Sequence, residues 1–162
     1  MSGPDDELLT IGAAALRLDI STRTLRYYES MGLVQPSART AGGARRYSPA
    51  DIERVAHVRE LQGVLGFNLE EIGQMLDAED RLDTLRAEYN AGVSDHRLAS
   101  ILREVTTINA RLQDLVNQKV GLLHGMLAEL ETKADRYRTV AVEHGVELAP
   151  PAIATKRPRS RA

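Results

Sequence analysis

The sequence contains no cysteine and no tryptophan, and only one phenylalanine among its 162 residues. The first absence excludes disulfides, thiolate metal sites and thiol redox sensing within this sequence. The scarcity of large aromatics, set against 43% hydrophobic residues, leaves aliphatic side chains to fill small cores, which suits a mainly helical protein. No apolar run reaches the length of a membrane span, and the start, MSGPDDELL, lacks the basic and apolar regions of a signal peptide. The expectation is a cytoplasmic protein with no membrane partner. Also missing are a Gly-rich phosphate loop, a metal-ligand spacing and a nucleophile beside a histidine. The four histidines, His57, His96, His124 and His144, are scattered. The reading is therefore of a non-enzyme with no catalytic residue, no metal and no cofactor.

A surplus of positive charge is missing overall, since the formal net charge is -2. It is present locally. Between Leu8 and Tyr47 stand Arg17, Arg23, Arg26, Arg39, Arg45 and Arg46 against only Asp19 and Glu29, a local charge of +4. A chain of this length holds one ordinary domain, or a small domain with an extended arm.

Residues 1 to 7 are polar and acidic and read as disordered. Thr10 is placed to cap a first helix, Ile11 to Leu18, with Ile11, Ala14, Ala15 and Leu18 at helical spacing. Asp19 and Ile20 form a turn, and Ser21 caps a second helix that runs to about Met31. Leu25 and Tyr28 give it an inward side, leaving Thr22, Arg23, Arg26 and Tyr27 to face outward. Two short helices across a tight turn make a helix-turn-helix, whose second helix reads the major groove from its N-terminal residues. An ordinary amphipathic hairpin with a basic face satisfies the same spacing.

Gly32 closes that helix in the position where a left-handed backbone is easiest. Leu33 and Val34 read as a short strand, Pro36 breaks it, and Ala41-Gly42-Gly43 makes the turn into a second strand, Ala44 to Tyr47. The resulting wing carries Arg39, Arg45, Arg46 and Tyr47, suited to contacts with a phosphate backbone that position a protein without reading sequence. Ser48-Pro49-Ala50-Asp51 opens a third helix to about Leu65, stopped by Gly66. Asn68-Leu69-Glu70-Glu71 opens a fourth with a capping box. Glu70 and Glu71 sit where the helix dipole favours carboxylates, which accounts for them without acid-base chemistry.

The stretch TIGAAALRLDISTRTLRYYESMGLVQPSARTAGGARRYSPADIERVAHVRELQGVLGFNLEEIGQML resembles the N-terminal domain of the MerR family of bacterial transcription regulators. The resemblance rests on S-T-R-T-L-R-Y-Y-E, the Gly32-Leu33 exit, R-R-Y-S at the wing's end and G-F-N-L-E-E-I at the fourth helix. It implies a winged helix-turn-helix over residues 8 to 77 and a homodimer bound to an inverted repeat in double-stranded promoter DNA. It further implies bending or untwisting of that DNA for RNA polymerase. Carried onto this sequence, the recognition-helix contacts are Ser21, Thr22, Arg23, Arg26 and Tyr27, and the wing contacts Arg39, Arg45, Arg46 and Tyr47. Ala44 stands where members usually have an aromatic residue, and a contact from Arg59 is left unassigned.

Residues 78 to 95 read as a linker with partial helix. Beyond it, Leu98, Ile101, Val105, Ile108, Leu112, Leu115, Leu122 and Met126 recur at steps of three and four, skipping only Lys119. This is the heptad pattern of a coiled coil, over residues 96 to 130. Lys119 at an a position either fixes register or snorkels out. Leu102, Val116, Leu123, Leu127 and Leu130 widen the stripe, so the helix touches more than one neighbour. In the family this helix makes an antiparallel dimer contact. Residues 131 to 149 read as a further helix, and 150 to 162, with KRPRSR from Lys156 to Arg161, as a disordered basic tail.

The fold class expected is thus mainly α, a winged helix-turn-helix followed by a long antiparallel coiled-coil helix. The function expected is a promoter-binding regulator placed on the nucleoid. The competing reading is a protein-interaction module whose C-terminal helices dock a partner while the head tethers it to DNA. The signal stays open between a small-molecule effector, a protein effector and none, because the residues after Leu130 are too few for a large sensor domain.

Overall fold

The computed structural model describes residues 8 to 148, so the expected disordered start and basic tail lie outside the described residues. Thr10 is the first cap: its hydroxyl accepts the Ala13 N–H at 3.2 Å and starts α1, Ile11–Arg17. Asp19 turns the chain with φ at 53°, a left-handed conformation that a short polar side chain tolerates. Ser21 caps α2, Thr22–Ser30, by accepting the Thr24 N–H at 2.9 Å. Gly32, at φ 73°, ends the unit as the sequence predicts.

The wing differs from its expected form in two places. Leu33 and Val34 are not a strand; both are buried, at 2% and 1% exposure, in irregular chain. Consecutive strand residues face opposite sides, so only an irregular segment can turn both into one core. The strands are instead β1, Leu9–Thr10, β2, Ala38–Arg39, and β3, Arg45–Tyr47, in the order β1-β3-β2 with antiparallel pairing. Leu9 pairs with Tyr47 and Arg39 with Arg45.

Helix α3, Pro49–Gly63, opens on a full capping box between Ser48 and Asp51, and ends two residues before the expected Leu65 as the chain moves towards the left-handed Gly66. Helix α4, Leu69–Asn90, opens on a second capping box between Asn68 and Glu71. It absorbs most of the expected linker, because Leu85 is fully buried and holds the helix in place. Ser94 starts α5, Asp95–Glu143, which continues past residue 130 without a break, so the separate C-terminal helix is part of α5. Nothing in the sequence after Leu130 interrupts a helix until Gly145, which is left-handed at φ 63°. No helix among the described residues is long and apolar enough to cross a membrane.

The chain divides into two compact units, at Asn117 and Gln118. The first contains a head core in which Leu25 and Tyr28 of α2 meet Tyr47, Val55, Val58, Ile72 and Leu76, with Leu112 and Leu115 packed against it. A second cluster joins Leu85 to Ile101 and Ile108, with Leu82, Val105 and Leu112 alongside. Two paired ions close the same α4–α5 seam: Arg81 with Glu104 at 2.5 Å, and Arg97 with Glu88 at 2.5 Å. Hydrogen bonds from these guanidiniums hold the Glu104 and Glu88 carboxyls below their ordinary range. The second unit carries the rest of α5, where Leu122, Leu123, Met126, Leu127 and Leu130 are exposed.

Candidate nucleic-acid interface

Helix α2 presents two faces because its apolar residues recur at helical spacing. Leu25 and Tyr28 are buried, while Ser21, Thr22, Arg23, Arg26 and Tyr27 are exposed, as the sequence predicts. The Ser21 hydroxyl is engaged with Thr24 Oγ1 at 2.8 Å as well as with the helix backbone, which sets the first turn. Tyr28 anchors the far side by donating its hydroxyl to Gln62 Oε1 of α3 at 2.8 Å. Burial raises its phenol above the ordinary range, against the opposing charge of Arg59. Arg59 itself donates to the Leu18 carbonyl at the end of α1. That bond satisfies a helix-end acceptor and ties α1 to α3, as Tyr28–Gln62 ties α2 to it.

The wing residues separate into distinct roles. Arg39 is exposed on β2, beside Arg45 of β3. Arg46 falls on the opposite side of β3 from its neighbours, across from Ala38 and Thr10, and is half-buried. Tyr47 corrects the sequence reading: it is fully buried, so it is a core residue and not a surface contact. Its hydroxyl donates to Glu29, and burial first, then that bond, pushes its pKa above the ordinary phenol value. Arg45 donates its Nε to the other Glu29 oxygen at 2.5 Å. Glu29 is the residue that sequence reasoning missed. Its signal was a carboxylate three residues after Arg26, one of only two in a strongly cationic stretch.

Between α2 and the wing lies a polar cleft of about 440 Å³, whose lining includes Arg26, Glu29, Ser30, Gln35, Arg39 and Arg45. Three guanidiniums against one carboxylate leave it cationic. A guanidinium matches phosphate oxygens in geometry as well as charge. The residues expected along the coiled coil divide as well. Ile101 and Ile108 are buried within their own unit, Leu98, Val105, Leu112 and Leu115 are half-buried, and Leu122 and Met126 are exposed in the second unit.

Two helices across a tight turn, followed by a basic β-ribbon that is tied to the second of them through Glu29, define a winged helix-turn-helix. Comparison with known proteins agrees. The family described as MerR HTH family regulatory protein matches residues 9–79. An uncharacterised HTH-type transcriptional regulator of Pseudomonas aeruginosa is 33% identical over 115 residues, covering 70% of this chain and 86% of that one. The HTH-type transcriptional regulator YfmP of Bacillus subtilis is 31% identical over 134 residues, covering 80% and 95%. Among solved structures, the transcription regulator PbrR691 of Ralstonia metallidurans in complex with lead(II) superposes with a TM-score of 0.52 at 21% identity, covering 89% of this chain and 92% of that one. The chain belongs to the MerR family and is a transcription regulator of that type.

Proposed function

We propose that this regulator binds an inverted repeat in double-stranded promoter DNA as a homodimer, each copy setting α2 in the major groove and its wing on the phosphate backbone. The observation that carries the reading is the cationic cleft, which brings Arg26 of α2 and Arg39 and Arg45 of the wing to one opening. On this reading, Thr22, Arg23, Arg26 and Tyr27 face base edges and nearby phosphates, Ser21 serves chiefly as the cap, and Arg39 is the leading wing contact. The exposed apolar residues of the second unit, Leu122, Leu123, Met126, Leu127 and Leu130, are the surface proposed to pair with the second copy. Bending or untwisting of the site, to the benefit of RNA polymerase, follows from the family resemblance and is part of the proposal. Soft metal ions are held best by thiolates, and this sequence has none, so a metal signal is not carried over from the lead(II) complex.

The division of labour is testable by titrating specific and scrambled duplexes at several salt concentrations. Arg23→Ala is expected to lose discrimination between them. Arg39→Ala is expected to weaken binding to both alike and to lower the salt slope by about one. Equal losses of discrimination in both variants would contradict the assignment.

A further inference from the structure

Glu29 is an acid in the middle of a surface proposed to meet phosphates, where a negative charge ought to oppose binding. Its side chain is only 10% exposed, and both of its oxygens are used by the central wing strand: one by Arg45 Nε at 2.5 Å, the other by the Tyr47 hydroxyl. Arg45 and Tyr47 are two residues apart on β3, so they share a face of the ribbon. Glu29 lies in the last turn of α2, three residues from Arg26, so it shares a face of that helix with Arg26. A single carboxylate thus ties the helix that presents Arg26 to the strand that presents Arg45, and β3 carries β2 and Arg39 with it. All three arginines and Glu29 line the same cleft.

We propose that Glu29 is a positioning residue for DNA binding: it fixes the wing to the recognition helix so that Arg39 and Arg45 meet backbone phosphate at a set distance from Arg26. The inference rests on the DNA-binding reading above. It makes a prediction of sign. If Glu29 acted on DNA only through its charge, neutralising it would tighten binding by removing a repulsion. As a positioning residue, its neutralisation weakens binding, because the wing's cations lose their fixed place.

The test uses the full chain and a duplex selected by the wild-type protein. Glu29→Gln is expected to raise Kd by roughly tenfold, the scale of one charge-assisted hydrogen bond, and to lower the salt slope by about 0.9, the value for one phosphate contact. In footprints at saturation it should lose the same phosphates that Arg39→Ala loses, while keeping discrimination against scrambled DNA. General loss of stability would lower the melting temperature and the fraction bound but would leave the saturated footprint and the salt slope unchanged. Tyr47→Phe, which removes only the hydroxyl bond and keeps the ring's volume in the core, is expected to move binding in the same direction by less. It carries the test if Glu29→Gln does not fold. Unchanged or tighter binding by the folded variants, with the wing's phosphates still protected, overturns the inference. Absence of any selected duplex for the wild-type protein would instead overturn the DNA-binding reading itself.

Discussion

Tyr47 and Arg45 stand two positions apart in the same cationic segment, yet only one of them reaches the surface. From sequence both were candidates for contact with DNA, since a tyrosine beside arginines suits either a phosphate or a core. The β3 register decides: Tyr47 pairs with Leu9 of a two-residue strand too short to be recognised by alternation, and is enclosed. The role of Glu29 was not legible for a related reason, because its partners lie 16 and 18 residues away. The buried phenols carry a pH signature. Tyr47 and Tyr28 both have raised pKa values, chiefly through burial, so the folded chain keeps their protons after the unfolded chain, with phenols near 10, has lost them. Their contribution to stability is therefore complete below about pH 10 and is lost as pH rises above it. Urea midpoints measured from pH 8 to pH 11 should fall more steeply above pH 10 in the wild-type protein than in Tyr47→Phe. Parallel curves would show that the hydroxyl of Tyr47 adds nothing there.

Elements marked by local chemistry were readable. The caps Thr10, Ser21, Ser48 and Asn68 and the left-handed Gly32 and Gly66 stand where the sequence put them, because a cap is settled by residues three apart. Elements decided by distant packing were not. The wing's two- and three-residue strands are held by pairing across the chain, and the final turns of α4 are held by Leu85 against Ile101 and Ile108. That last contact also gives the first part of the heptad stripe one of its neighbours, the protein's own α4, in keeping with a stripe wide enough to touch more than one. Leu85→Ala should then cost about 2–5 kcal/mol in denaturant unfolding, as expected for truncating a fully buried leucine. A loss below about 1 kcal/mol, the level of a surface change, would show that the α4–α5 cluster is not a packed core.

For the whole molecule, the family and the winged helix-turn-helix were legible because the reading head is compact in sequence. The first unit uses much of the heptad stripe for itself, and the second unit leaves Leu122, Leu123, Met126, Leu127 and Leu130 exposed. Under the proposed function these are the residues that bring two heads onto one duplex, and half-site spacing is set by the dimer. The most direct measurement is a hydroxyl-radical footprint of the wild-type protein on duplexes it selects from fragmented genomic DNA, with the molar mass of the complex taken by light scattering. The expected result is two patches of protection related by a two-fold axis, with two chains per duplex. A single one-sided patch with one chain bound, or no preferred sequence, would contradict the account.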